Sequence, residues 1–152
     1  MIRSALFAGL TTVAFGYLYQ LAGVNLWIAG AIGAIAWMGA TLVGTITGAG
    51  LIPDFVGSLI VGVLAEFLAI KKRQPVTLFM VPAIISFVPG YLVYQAMVAF
   101  LKGHSVSGIK IGFTALFAAA ALSLGLALAT AVFRPMLRRT FKARPDRSPR
   151  RG

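Results

Sequence analysis

Apolar residues run along this chain in long blocks, and the few polar residues fall between them. The first block, residues 4–22, carries Tyr17 and Tyr19 near its end, where aromatic residues suit a membrane interface. Residues 26–46 form a second block and 51–70 a third. A basic run, KKRQP at 71–75, precedes another apolar stretch over 76–100. A polar turn is expected over 102–110, and a last block covers 111–133. A transmembrane helix needs about 20 apolar residues. The pattern therefore predicts an all-α, polytopic transmembrane helix bundle of about five spans. The many glycines of the second block allow a re-entrant or tilted segment instead, which leaves four. Arg3 ahead of the first block suggests a signal peptide, but no A-x-A cleavage pattern follows, so a retained helix is expected.

One block is interrupted. In VTLFMVPAIISFVPGYLVYQAMVAF, Pro82 and Pro89 each remove a backbone donor and crowd the preceding turn, and Gly90 loosens the chain further. A break at membrane depth survives only inside protein or beside a watery cavity. Discontinuous helices of this kind hold the cargo in many secondary transporters. Tyr91, Tyr94 and Gln95 place polar atoms just after the break, and the rest of the chain is expected to surround it.

The third block carries Asp54, Ser58, Gly62 and Glu66 at successive i+4 spacing, one stripe on a helix that should face the bundle interior. Pro53 and Asp54 suit a first turn, Asp54 as a cap or interfacial acid. Glu66 admits two readings. A carboxylate within a span is costly and marks an ion path or proton relay. Alternatively, Glu66 snorkels to the interface and pairs with Lys71, Lys72 or Arg73. Two small-residue stripes, Ala36/Ala40/Gly44/Gly48 and Ala119/Ser123/Ala127/Ala131, predict close helix packing.

Composition narrows the function. The chain is 59% hydrophobic and only 11% charged, against about 25% charged in soluble domains. It has no cysteine and a single histidine, His104, in a loop. Thiolate chemistry, histidine zinc sites and Ser-His-Asp catalysis have no material, so neither an enzyme nor a metal or cofactor site is expected. Two regions follow: a transmembrane helical domain, 1–133, and a basic tail, 134–152, with eight Arg and Lys, three prolines and one acid. The tail is expected to be disordered beyond an interfacial first turn and drawn to anionic lipid rather than nucleic acid. The positive-inside rule places KKR and the tail in the cytoplasm, with Lys102 and Lys110 outside.

The region Phe55–Leu101 resembles the threonine/serine exporter family, most closely its small split subunit, equivalent to the C-terminal half of the full-length exporter. The residues that carry the likeness are Gly62 and Glu66 in GSLIVGVLAEFLA, the basic linker with Pro75, and Pro82, Pro89-Gly90 and Tyr94 in VPAIISFVPGYLVYQAM. The resemblance implies an inner-membrane, proton-driven exporter of small hydroxy amino acids or related small carboxylates, working with a larger membrane subunit. Threonine as cargo gives the break a role. Amides of the half-helix beginning near Gly90 would meet its carboxylate. Carbonyls freed by Pro89, with the Ser86 hydroxyl, would accept from its ammonium. Tyr94 and Gln95 would meet its hydroxyl, and Gly90 would serve close approach and an unusual backbone angle. Glu66, with Asp54, would handle protons. Export of dicarboxylates, or a non-transporting scaffold subunit, are the alternatives.

Overall fold

The computed structural model describes residues 2–48 and 50–136. Among them the chain is an all-α transmembrane bundle, with helices where the apolar blocks predict them. The first three are α1 (Ile2–Leu18), α2 (Val24–Thr47) and α3 (Leu51–Lys72). The broken segment gives α4 (Thr77–Ile84), a 3-10 turn (Ile85–Phe87) and α5 (Gly90–Leu101). The last helix, α6 (Ser105–Leu128), runs into a π-helical turn at Ala129–Phe133 and remains helical through Met136. α2, α3 and α6 are each long and apolar enough to cross a membrane, and the bent α4–α5 pair makes a fourth crossing if taken as one span. With its 17 residues, α1 rises about 26 Å, just under the roughly 30 Å of a hydrocarbon core.

Glycine sets how closely the helices approach. α1 meets α2 antiparallel, with Gly9 against Gly30. A Cβ at Gly57 would strike the Phe87 ring, and one at Gly62 would strike Ala129. With no water to expel between them, membrane helices gain instead from such close van der Waals contact. α3 and α6 run parallel, Ser58 lying against Gly125 and Gly62 against Ala129. The basic loop after α3 and the C-terminal end of α6 therefore share one end of the bundle. The chain crosses once between the end of α3 and the start of α6, so the broken segment acts as one crossing.

Three expectations change. α4 is enclosed by α1, α2 and α3, with Phe79, Pro82 and Ala83 buried, whereas α5 packs chiefly on α6 and buries only Ala96. The chain thus surrounds only the first half of the broken segment. The polar turn is also shorter than 102–110, because α6 already starts at Ser105. Gly103, at φ 78°, ends α5, and nothing after His104 forbids helix, since polar side chains alone do not stop one. Finally, the stripe Ala119/Ser123/Ala127/Ala131 is exposed. The buried face of α6 is Ala115, Ala118, Ala121, Leu122 and Gly125, continued by Ala129. An alanine-rich helix offers several small stripes, and Gly125 marks the one that packs.

Candidate functional site

The break is built by Pro89 acting on its neighbour. Proline disfavours helical backbone at the residue before it, and Val88 is extended at φ −58°, ψ 128°. The two half-helices meet at 42°. The Gly90 N–H turns back to the Val88 carbonyl at 2.7 Å, and the Val93 N–H donates to the Pro89 carbonyl at 3.1 Å. Gly90 itself is the first residue of α5, outside the positive-φ glycines, and a Cβ there would meet nothing within 4 Å. The unusual backbone angle expected at Gly90 is absent, because Val88 and Pro89 take up the departure from helix.

The residues flanking the break diverge. Ser86 donates to the Ala8 carbonyl of α1 at 3.2 Å. Tyr91 accepts from the Gln95 side-chain amide at 2.9 Å, and Tyr91, Tyr94 and Gln95 line a shallow depression with Lys102 and His104 between α5 and α6. Ser86 does not join them.

The α3 stripe faces inward as its spacing predicts. Asp54 is half-buried, Ser58 and Gly62 are buried, and Glu66 is 2% exposed. Ser58 is satisfied by the Phe55 carbonyl at 2.9 Å. The two acids open into different spaces. Asp54 borders a cleft of about 580 Å³ between α2, α3, α5 and α6, together with Trp37, Thr41, Thr45, Phe87 and Thr114. These cleft residues escape a sequence reading that follows the glycine and alanine stripe of α2. Trp37, Thr41 and Thr45 form a second i+4 stripe beside it, which is the signal that finds them.

Glu66 lies at the other end of α3, beside a cavity of about 250 Å³ that it shares with Arg73, Gln74, Val76 and Arg134. Its Oε1 has no hydrogen-bond partner, and the Arg134 Nε stands 3.9 Å away. The partner of Glu66 is therefore Arg134 of α6, with Arg73 bordering the same space. Lys71 and Lys72 are outside it and exposed. The π turn explains the meeting. Gly125 and Ala129 sit four residues apart, one α turn, and a π turn then takes five residues to reach the same face at Arg134. Gly62 and Glu66 are the matching pair on α3, one turn apart. A buried carboxylate is costly unless it is paired and hydrogen-bonded, and here the pairing is long and one oxygen is left open. Beyond Met136 the basic tail lies outside the described residues.

Residues 4–132 match the family described as "Threonine/Serine exporter, ThrE". No curated protein and no solved structure matches.

Proposed function

We propose a transport role from one premise: this chain belongs to the threonine/serine exporter family and is a multi-pass membrane protein. It acts as one membrane subunit of a secondary transporter that exports small hydroxy amino acids, with a larger membrane subunit supplying the other half. Inward proton flow drives export, and Glu66 carries the proton. The observation behind this reading is Glu66 itself, buried, with an open oxygen and the Arg134 guanidinium 3.9 Å off. A carboxylate in that setting changes partner as it gains and loses a proton, which is what a relay requires.

The need for a partner is supported by how much of the chain's surface is left uncovered. α5 has one chief neighbour, and Tyr91, Tyr94 and Met97 on it are exposed. The unused small-residue face of α6 adds a second close-packing surface. The membrane is the cell's inner membrane, and the Arg73–Arg134 end faces the cytoplasm, as the positive-inside rule directs. Tyr91, Tyr94 and Gln95 then border the outward part of the cargo path. Efflux of radiolabelled threonine from cells tests the reading. Cells with this chain and its larger partner should export, and cells with either alone should not. Equal efflux from cells lacking this chain would overturn it.

A further inference from the structure

We propose that the cavity between the C-terminal ends of α3 and α6 binds the charged head of a small α-amino acid. Its carboxylate lies on the guanidiniums of Arg73 and Arg134, and its ammonium on Glu66. The inference rests on the export reading and names where the cargo is first held.

Four observations point there. First, Glu66 borders the cavity while only 2% exposed, and its buried Oε1 has no hydrogen-bond donor. An ammonium group supplies up to three donors and would satisfy it. Second, the Arg134 Nε is 3.9 Å from Oε1, well beyond the roughly 2.7–2.9 Å of a charge-assisted hydrogen bond. That guanidinium is not locked to Glu66 and is free to fork onto a cargo carboxylate. Third, among the described residues two arginines and one glutamate border the space, with no other acid. With Glu66 neutralising the ammonium, the arginines remain for one carboxylate. Fourth, Arg73 ends α3 at φ 54°, with its N–H on the Ala69 and Ile70 carbonyls. Glycine is the residue that ordinarily takes this left-handed position. Arginine there is strained, and what it adds is a guanidinium at the cavity mouth. Gln74 offers a further amide, and Val76 an apolar wall for a cargo methyl group. At about 250 Å³, the cavity has room for several groups the size of a water, each of which takes about 30 Å³ in the liquid.

The strained arginine also supplies the test. Arg73→Gly relieves the backbone while removing the guanidinium, so folding and binding should move in opposite directions. The full chain, in nanodiscs of phosphatidylcholine, is titrated with radiolabelled L-threonine, and its unfolding temperature is measured alongside. Wild type should bind saturably. Arg73→Gly, Arg134→Gln and Glu66→Gln should each weaken binding at least tenfold, with Arg73→Gly unfolding no earlier than wild type. L-serine should displace threonine. Threoninol, which lacks the carboxylate, and 3-hydroxybutyrate, which lacks the ammonium, should not. Absent binding by wild type, or wild-type affinity in both Arg73→Gly and Arg134→Gln, would overturn the site. So would displacement by succinate as strong as by serine, which marks a general carboxylate pocket, or displacement by phosphatidylglycerol in the disc, which marks a lipid headgroup pocket. Export in cells separates this site from the reading it rests on. If Arg73→Gly and Arg134→Gln export threonine at the wild-type rate with the larger partner present, the site falls and the exporter stands.

Discussion

At Glu66, among the described residues, the cost of burying a carboxylate is met by the Arg134 guanidinium, held loosely and half exposed. Removing one partner of a buried pair costs more than removing both, because it strands a charge. Arg134→Gln should therefore destabilise the fold by about 1–3 kcal/mol, less than for a fully buried pair because Arg134 is exposed. Glu66→Gln in the same chain should restore most of the loss, as read by thermal unfolding of single and double variants. A double variant no more stable than Arg134→Gln would show that the arginine acts through other contacts. Two glycines make a second contrast. A Cβ at Gly125 would press on Ser58 and the Phe55 carbonyl, so Gly125→Ala should cost about 1–3 kcal/mol through overpacking. Gly90→Ala meets open space in a helical first turn and should be neutral or stabilising by up to about 1 kcal/mol. Comparing the unfolding temperatures of these two variants checks whether close approach lies at the α3–α6 contact rather than at the break.

At the scale of elements, the π turn is one residue more than an α-helix needs. Deleting the exposed Ala131 should turn it into an ordinary turn and keep the arginine one turn below Ala129. Deleting the exposed Ala120, within regular helix, rotates everything after it by about 100° and moves Gly125 off Ser58. The Ala131 deletion should then keep assembly and near-normal efflux, while the Ala120 deletion should lose both. The reverse order would mean that the wide turn does not set the register of Arg134. This also shows what the sequence could not display. Apolar blocks and Pro89 announce the helices and their break, because run length and a missing amide are local properties. The i+4 stripe places Glu66 inside for the same reason. A π turn leaves no such mark, so the meeting of Arg134 with Glu66 depends on α3 and α6 lying parallel, a tertiary fact. The departure of α5 from the bundle is equally tertiary, since α4 and α5 are alike in hydrophobicity and differ in what covers them. The start of α6 at Ser105 was hidden because polar residues mark a membrane boundary, not a helix boundary.

For the whole molecule, the parallel α3 and α6 give the chain two ends of different character. One end gathers Arg73, Arg134 and Glu66, and the Asp54 cleft opens toward the other. Between them α3 and α6 close on each other through Ser58, Gly62, Gly125 and Ala129. In the transporter proposed above, export would need that contact to loosen, and Glu66 would trade its arginine for a proton supplied by the gradient. Orientation is checked by labelling. A cysteine at Gly103 should react with a membrane-impermeant maleimide on intact cells, and one at Gln74 only after permeabilisation. The opposite pattern would invert the topology. The most direct test is threonine efflux driven by an imposed pH gradient, in proteoliposomes holding this chain and the proposed larger subunit. Wild type should move threonine against its own gradient while the pH gradient lasts. Glu66→Gln, assembled to the same extent, should move threonine only down its gradient and ignore pH. Glu66→Gln vesicles that still concentrate threonine at the wild-type rate would contradict proton coupling through Glu66.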